Sequence, residues 1–449
     1  MTRFSKDFIF GTATSSYQIE GAWNEDGRTA SIWDEFSSIP GKVWNMDNGN
    51  IACDHYHRYE EDVEILKTLG VDSYRFSIAW PRIFPEKGKY NPDGMEFYKK
   101  LISLLHSANI KPAVTLYHWD LPMWAHEQGG WTNRESVMWF MEYAEKCFEE
   151  LDNQVDMWIT HNEPWCAGFL GYHQGVHAPG HKNMEEALKA VHHILLSHGE
   201  AVDYLKNKRQ STTPIGITLN LSPVYPASDS MNDQLAANNA DGYTNRWFLD
   251  PIFKGNYPLD MMNLFSKYVH DYSFIKEGDM KKISIKCDFF GINYYNRSLV
   301  EFTSASDFLF TSAYSDYDKT GMGWDISPNE FKQLIHRLRQ EYTTLPIYIT
   351  ENGAAFDDTV APDGKVYDVG RQSYVEKHIT AVAELNEDNM NIAGYYLWSL
   401  LDNFEWAFGY DKRFGITYVD FLTQKRTLKN TGFRYAEIIK NRSLEKILI

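Results

Sequence analysis

The sequence predicts an α/β fold in which eight parallel strands close into a barrel surrounded by helices. Eight short apolar runs alternate with longer amphipathic stretches along the 449 residues, which is the pattern of repeated strand–helix units. No low-complexity or Pro/Ser-rich linker divides the chain, and one large barrel can occupy this length. Most runs also end in polar or aromatic residues. We therefore predict a single (β/α)8 TIM barrel domain over residues 1–449, with its active site at the C-terminal ends of the strands.

The strand-like runs can be placed in order along the chain. They are FIFGTATSS (8–16), SYRFSIAW (73–80), KPAVTLYHW (111–119), MWITHNE (157–163), PIGITLNL (214–221), FFGINYYNRSLV (289–300), PIYITENG (346–353) and NIAGYYLWSLLDN (391–403). Pro164 has no N–H to give to a neighbouring strand, so the fourth strand should stop just before it. Because strand ends meet at one face of a barrel, the polar residues that close these runs should converge on one pocket.

Helical patterns lie between the runs, at residues 59–69, 93–107, 134–151 and 185–206. The alternative arrangement is a doubly wound open sheet. That fold predicts a glycine-rich phosphate loop after an early strand, and none is visible here. The barrel is therefore the preferred prediction.

Composition and charge exclude several classes of partner. Hydrophobic residues make up 43% and charged residues 23% of the chain, which is typical of a globular protein. The formal net charge of −17 argues against nucleic acid or an anionic membrane as a partner. Homo-oligomerisation is left open.

The N-terminus and the cysteines predict the compartment. The segment MTRFSKDFIFGTATSS lacks a long apolar core, and no run of 18 apolar residues occurs, so we expect neither a signal peptide nor a membrane span. The cysteines are far apart and form no C-x-x-C pair: Cys53, Cys147, Cys166 and Cys287. They predict buried thiols in a reducing compartment, hence a cytoplasmic location.

Two strand ends carry a carboxylate in similar settings. Glu163 closes the fourth run in THNEPW, and Glu351 closes the seventh in ITENG. The fourth and seventh strands lie on opposite sides of a barrel mouth, and two carboxylates facing each other across a pocket can hydrolyse a glycosidic bond. From the residues alone, a pair of strand-end acids in ordinary salt bridges remains the alternative.

Four motifs in the same order resemble those of glycoside hydrolase family 1, the β-glucosidase group. FIFGTATSSYQIEGA (8–22) is similar to the opening signature of that family, and THNEP (160–164) to its acid/base motif. ITENG (349–353) resembles its nucleophile motif, and WSLLDNFEWAFGYDKRFG (398–415) its sugar-binding loop. The resemblance extends from about residue 8 to about residue 433.

The resemblance implies a retaining mechanism with Glu351 as nucleophile and Glu163 as acid and then base. Retention requires carboxyl groups about 5–5.5 Å apart. Glu163 must start protonated, so its site should be apolar and crowded by the charge of Glu351. By the family pattern, Arg75 and the Tyr295 hydroxyl keep Glu351 ionised. Arg75 in a plain core ion pair is the alternative.

The resemblance also implies the residues that bind the sugar. Hydrogen bonds come from Gln18, His118, Asn162 and Glu405, with the indole nitrogens of Trp119 and Trp406, while Trp398 forms the stacking floor. A lone histidine is more often a satisfied core residue, but His118 closes a barrel strand in His118-Trp119-Asp120. Towards the leaving group, the candidates are Trp324, Asn220, Cys166 and Tyr295, and Asn293 supports Tyr295 and Glu351.

We expect neither a cofactor nor a metal, since carboxylates perform both proton transfer and attack. His173 and His177 have helical metal-pair spacing, but the glycine between them and the Pro-Gly that follows argue against a helix. His192 and His193 are adjacent on a helix and do not face the same way. The segment 47–50 lacks the closing glutamate of a calcium loop.

The predicted function is hydrolysis of terminal, non-reducing β-D-glucosyl residues, with β-galactosides and β-fucosides as further substrates. Cellobiose, short β-glucans and aryl glucosides are the expected partners. A 6-phospho-β-glucosidase is one alternative, but only Lys412 matches the family's phosphate residues, with Glu405 and Phe414 at the other positions. A non-catalytic sugar-binding barrel should lack Glu163 or Glu351, and a thioglucosidase typically lacks the acid. A transglycosylase remains open.

Overall fold

Eight parallel strands form a closed barrel, as predicted, in the computed structural model, which describes residues 3–269 and 271–445. The strands are β1 Ile9–Ala13, β2 Ser73–Ser77, β3 Lys111–Tyr117, β4 Met157–Asn162, β5 Ile215–Asn220, β6 Phe289–Asn293, β7 Ile347–Asn352 and β8 Ile392–Trp398. Each strand pairs with its neighbours in chain order, and β8 closes the barrel against β1. Strand β4 ends at Asn162, in agreement with the prediction made from Pro164.

Helices follow the strands and cover the outside of the barrel. The principal ones are α1 His55–Leu69, α2 Pro92–Ser107, α3 Ser136–Leu151, α4 Met184–Asp203, α5 Trp247–Lys254, α6 Pro328–Glu341, α7 Val369–Glu387 and α8 Asn430–Asn441. Further helices are Ser16–Ile19, Ile32–Ser38, Trp80–Ile83, Met123–His126, Met231–Asp241, Leu259–Phe265 and Asp279–Ile283. The four helices predicted from periodicity are confirmed, with ends shifted by up to four residues.

All eight predicted strand runs extend past the strands themselves, and two of them continue for at least five residues beyond the strand's end. The run 289–300 splits, because β6 leaves the barrel after Asn293 and the chain resumes as Ser298–Phe302 in a separate sheet with Val224–Pro226 and Phe310–Ser312. The run 391–403 is strand only as far as Trp398. In both cases apolar residues continue beyond the barrel because they line a pocket or pack under a loop. A hydrophobic run therefore records burial rather than strand length. A further two-stranded sheet joins Thr417–Val419 and Arg426–Leu428.

The strand register places the polar strand ends side by side. Asn293 at the end of β6 pairs with Asn220 on one side and Glu351 on the other. The register shifts between Ile159 and Asn162 in β4 and after Ile349 in β7. Such irregularities redirect side chains and are common beside active sites. Both shifts lie next to a predicted catalytic carboxylate.

The described residues contain no helix long and apolar enough to cross a membrane. The four cysteines are buried and form no disulfide, as predicted. Below the strand ends the barrel is filled by side chains, among them Met157, Phe289 and Tyr396. It is a packed core that supports the pocket above it.

Candidate active site

A cavity of about 340 Å³ opens at the C-terminal ends of the strands. Most of the residues predicted from the sequence line it: His118, Trp119, Glu163, Cys166, Asn220, Asn293, Tyr295, Trp324, Glu351, Trp398, Glu405 and Trp406. Gln18, Arg75 and Asn162 lie behind this lining and are fully or almost fully buried. The structure thus brings all the predicted site residues into one region.

Glu163 lies directly after the last residue of β4, where the chain turns sharply. Its φ is +48°, an unusual conformation for a residue with a side chain, and its N–H donates to the Thr218 carbonyl at 2.9 Å. The amide of Asn293 donates to Oε1 at 2.6 Å, and the thiol of Cys166 donates to Oε2 at 3.0 Å. The turn points a buried carboxyl into the cavity.

Glu351 is held differently, by a cation and a phenol. The Arg75 guanidinium donates to Oε1 at 2.7 Å, and the Tyr295 hydroxyl donates to Oε2 at 2.7 Å. Arg75 is fully buried, and it also donates to the Thr350 carbonyl at 2.9 Å. Charge-assisted bonds of this kind stabilise the ionised carboxylate.

These surroundings place the shared proton on Glu163. Burial, together with the charge of Glu351, raises the pKa of Glu163 to about 7. Burial also raises the pKa of Glu351, but Arg75 and Tyr295 oppose that effect. The two groups that contact Glu163, Asn293 and Cys166, are both neutral amide or thiol donors. Of the two groups, Glu163 therefore holds the proton more strongly, and its protonated form remains well populated at neutral pH beside a Glu351 whose charge Arg75 and Tyr295 stabilise.

A chain of hydrogen bonds connects this carboxylate pair to His118. Arg75 donates to Asn162 Oδ1 at 2.7 Å, so the amide nitrogen of Asn162 faces His118 Nε2 at 3.0 Å. That imidazole nitrogen must accept, which makes the ring neutral. In agreement, burial and the charge of Arg75 hold the pKa of His118 well below its usual value.

The floor and far wall of the cavity are aromatic. The ring of His118 stacks on Trp398 and on Trp406, with centroids 5.9 Å apart in each case. Trp119 packs against Trp406, and its indole N–H donates to the Asn162 carbonyl at 2.8 Å. This N–H supports the end of strand β4. The predicted hydrogen bond from Trp119 to a sugar would have to compete with it.

Gln18 and Glu405 lie together at one end of the cavity. The Gln18 amide donates to Asn403 Oδ1 at 3.0 Å and to the Phe404 carbonyl at 2.9 Å, and it lies 3.5 Å from Glu405 Oε2. Burial, assisted by the charges of Glu351 and Glu163, raises the pKa of Glu405 to about 8. Glu405 is therefore largely protonated at neutral pH and can both donate and accept hydrogen bonds.

The turn after the Glu351 motif requires glycine. A Cβ atom added at Gly353 would lie 1.7 Å from the Trp398 carbonyl oxygen, and this backbone atom cannot give way. Any side chain at this position would push β7 away from β8. The close contact holds Glu351 and the Trp398 floor at a defined separation.

Several lining residues escaped sequence reasoning: Trp165, His177, Thr244, Met322 and Phe408. His177 packs against Trp119 and Trp406 at the cavity. From the sequence, His177 is considered only as a possible metal ligand together with His173, and that metal site is not predicted. The prediction that this segment is not helical is wrong for His173, which lies in a wide helical segment Cys166–Gln174, whereas His177 lies beyond its end.

Metal-binding geometry is not found in the part of the chain that the structure describes, where no group of three or more potential ligands is arranged to hold an ion. His192 instead contacts Tyr257 and Asp279, and His193 contacts the Trp131 carbonyl. Asp47 accepts from the Tyr410 N–H. Each of these side chains has a structural partner in the fold.

Comparison with known proteins identifies the class. The family model of glycosyl hydrolase family 1 matches residues 1–444. Beta-glucosidase A of Acetivibrio thermocellus is 47% identical over 442 residues, or 98% of each chain. The chain belongs to glycosyl hydrolase family 1 and is a glycosidase.

Solved structures agree with this assignment over the whole barrel. The family 1 β-glucosidase of Exiguobacterium antarcticum B7 is 69% identical, with a TM-score of 0.97 over 98% of this chain and 99% of that one. The β-glucosidase of Thermotoga maritima in complex with castanospermine is 44% identical, with a TM-score of 0.95 over 99% of this chain and 100% of that one.

Proposed function

We propose that this chain is a retaining β-glucosidase, formed by residues 1–449 as one barrel domain, that acts on small β-glucosides. The observation that carries the proposal is the unequal environment of two carboxyl groups in one cavity. Glu351 is paired with Arg75 at 2.7 Å, while Glu163 contacts only neutral donors and has its pKa raised to about 7. A carboxylate and a carboxylic acid in one pocket are the two groups that retaining hydrolysis needs.

In the first half-reaction, Glu351 acts as nucleophile and Glu163 as acid. A carboxylate oxygen of Glu351 forms a bond to the anomeric carbon as the glycosidic C–O bond breaks. Glu163 gives its proton to the departing oxygen, so the aglycone leaves as an alcohol. Arg75 and Tyr295 hold Glu351 in place until its charge is consumed.

In the second half-reaction, Glu163 acts as base. Once Glu351 is glycosylated its negative charge is gone, so the pKa of Glu163 should fall from its raised value. The resulting carboxylate takes a proton from water, and the water oxygen attacks the anomeric carbon. The bond to Glu351 breaks, and glucose leaves with its original β configuration.

Sugar recognition is assigned to the side chains that surround the carboxyl pair. Trp398 forms the stacking floor, and His118, Asn162, Gln18 and Glu405 supply hydrogen bonds, with the indole of Trp406. Asn162 lies between Arg75 and His118, which suits contact with the 2-hydroxyl. Tyr295 and Trp324, with ring centroids 5.4 Å apart, form the wall proposed for the leaving group, with Asn220 and Cys166 nearby.

The proposed substrates are cellobiose, short β-glucans and aryl β-glucosides, with β-galactosides and β-fucosides as further substrates. Cellobiose cleavage would place the enzyme in cellulose degradation. The four buried, unpaired cysteines support a reducing compartment, so we propose a cytoplasmic location. Hydrolysis rates on a panel of these glycosides test the substrate range. Proton NMR of the first-formed sugar tests the mechanism, since an initial α-anomer would contradict retention.

The pH dependence of kcat/KM should report the carboxyl pair. Activity requires a protonated Glu163, whose pKa is raised to about 7, so kcat/KM should begin to fall near pH 6, reach about half its maximum near pH 7 and then fall roughly tenfold per pH unit. The acid limb should lie above the ordinary glutamate range, because burial raises the pKa of Glu351. Initial rates with an alkyl β-glucoside between pH 4 and 9 measure both limbs. A flat profile to pH 9 would contradict the assignment of Glu163.

Free β-glucosides should be strongly preferred over their 6-phosphates. The Lys412 ammonium is paired with Asp411 at 2.8 Å, and Phe414 lines the cavity with an apolar ring. A phosphate beside Glu405 would therefore be repelled by the negative charge of Glu351. It would also raise the pKa of Glu405 further, so that Glu405 would remain protonated. The repulsion from a protonated Glu405 is weaker than that from an ionised one, but the described residues that line this cavity include no Lys or Arg to compensate the phosphate charge.

The measurement is kcat/KM for an aryl β-glucoside and for its 6-phosphate, in the unmodified enzyme and in Glu405→Ser. The unmodified enzyme should favour the glucoside by about 100-fold or more. Glu405→Ser should narrow that ratio mainly by weakening glucoside turnover, because it removes hydrogen bonds to the 4- and 6-hydroxyls. Comparable values for the two substrates in the unmodified enzyme would refute the preference for free sugars.

A further inference from the structure

The thiol of Cys166 lies against the proposed acid/base residue. Cys166 begins the helical segment that follows Glu163, and its side chain is 7% exposed. Its sulfur is 3.0 Å from Glu163 Oε2. Burial raises the pKa of this thiol well above its usual value, so it remains S–H at neutral pH. A neutral thiol can donate one hydrogen bond and accept another.

The hydrogen-bond network determines which oxygen of Glu163 carries the proton. Arg75 can only donate, so the atom of Asn162 at 2.7 Å is its carbonyl oxygen. The atom of Asn293 that lies 3.0 Å from this oxygen must then be its amide nitrogen. The same nitrogen is 2.6 Å from Glu163 Oε1, and Thr350 donates to the other end of the amide at 2.8 Å. Oε1 accepts the short bond from this amide, whereas Oε2 accepts a weaker bond from a thiol, so we place the transferable proton on Oε2.

We propose that Cys166 is a positioning residue that holds Oε2 of Glu163, the oxygen that exchanges the proton, in both half-reactions. The proposal rests on the assignment of Glu163 as acid/base residue. Asn293 anchors one carboxyl oxygen, and Cys166 holds the other one from the opposite side. Without the thiol, the carboxyl group is held at Oε1 alone.

The thiol adapts to the two forms of Glu163 without itself reacting. S–H donates to a lone pair of Oε2 in both forms. In the first half-reaction the O–H bond at Oε2 breaks and the proton moves to the glycosidic oxygen, so the bond from S–H becomes charge-assisted. In the second half-reaction Oε2 receives a proton from water, and S–H again donates to a neutral carboxyl oxygen. No S–H bond breaks at any step. A permanent cation in this position would hold Glu163 ionised and remove the acid.

Other charged and titratable groups face Glu163 from the surrounding strands, and the thiol acts in addition to them. Glu351 of β7 raises the pKa of Glu163, and Arg75 of β2 lowers it. Glu405 after β8 and Tyr295 after β6 lie close enough to interact electrostatically with Glu163. None of these four changes when Cys166 is replaced, so a change in the pH profile of a Cys166 variant reports the thiol.

The experiment compares Cys166→Ala with Cys166→Ser, which keeps a donor, and with Cys287→Ala, which removes a buried thiol outside the cavity. Loss of the donor destabilises the carboxylate form of Glu163. In Cys166→Ala the basic limb of kcat/KM should therefore move up by about half to one pH unit. In the same variant, kcat/KM for an alkyl glucoside should fall by about threefold to tenfold, and kcat/KM for a dinitrophenyl glucoside by about twofold at most. Cys166→Ser and Cys287→Ala should keep the basic limb of the unmodified enzyme.

An unchanged basic limb in Cys166→Ala, or equal shifts in the alanine and serine variants, would overturn the proposal. Cys166→Val, which fills the space without a donor, gives the same test if the alanine variant folds poorly. Glu163→Ala in the same series separates this outcome from failure of the proposed function. If Glu163→Ala slows good and poor leaving groups equally, the acid/base assignment itself fails. If it spares good leaving groups while Cys166→Ala leaves the limb in place, only the role of Cys166 fails.

Discussion

Replacement of Glu351 by alanine should lower kcat/KM for an aryl β-glucoside by about four powers of ten or more, equivalent to about 5.5 kcal/mol of transition-state stabilisation. The carboxylate that attacks the anomeric carbon is then missing, while Arg75 and Tyr295 lose the group that they hold at 2.7 Å. Added azide should enter the space left by the carboxylate and attack directly. A single displacement inverts the configuration, so the product should be the α-glucosyl azide.

Two measurements make this prediction specific. Steady-state rates with 2,4-dinitrophenyl β-glucoside, with and without azide, give the loss and the rescue, and proton NMR gives the anomer. Glu301→Ala serves as a matched control, because Glu301 is an exposed glutamate outside the cavity. A β-glucosyl azide, or near-normal activity of Glu351→Ala, would show that another group is the nucleophile.

Replacement of Glu163 by alanine should affect substrates according to their leaving groups. Formation of the glycosyl-enzyme from a dinitrophenyl glucoside needs no proton, so that step should be nearly unchanged. Alkyl glucosides and cellobiose need the acid and should lose about 10²- to 10⁴-fold. Glu163 has its pKa raised to about 7, so the unmodified enzyme has this proton to give at neutral pH.

Rescue by azide also distinguishes an acid/base role of Glu163 from a nucleophilic one. In Glu163→Ala the glycosyl-enzyme on Glu351 persists because water lacks a base, and azide attacks it without one. Two displacements retain the configuration, so the product should be the β-glucosyl azide. Pre-steady-state bursts with dinitrophenyl glucoside separate the two half-reactions. Equal slowing of good and poor leaving groups would make Glu163 a binding or structural residue.

Much of the fold could be predicted because the strand pattern is local. Each apolar run of β1 to β8 is short, and each is followed by a helical period, so order and parallel direction follow from the chain alone. The residues at which the strands end were less predictable. The run 289–300 still contains Tyr294, Tyr295, Leu299 and Val300 after Asn293, although the barrel strand ends there. Burial under a loop and burial in a sheet produce the same sequence signal.

The site could be predicted as far as its motifs extend. Glu163 and Glu351 close strands in recognisable surroundings, and the cavity contains both. His177 and Met322 line the same cavity from loops, and Thr244 lines it from the helical segment Gly242–Arg246, but none of them belongs to a motif. Their position depends on how these segments fold over the barrel, which local sequence does not encode.

The sequence by itself determined the barrel, the two carboxylates and their place at strand ends, because residue type and spacing carry that information. Only the tertiary structure decided which of these carboxyl groups carries a proton and which carries a negative charge. Arg75 reaches Glu351 across 276 residues of chain, and Asn293 and Cys166 meet opposite oxygens of Glu163. The protonated states of Glu163 and Glu405 follow from burial and from neighbouring charges that lie far away in the sequence. Electrostatic energy depends on distance and solvent exposure in space, and no local pattern specifies either of them.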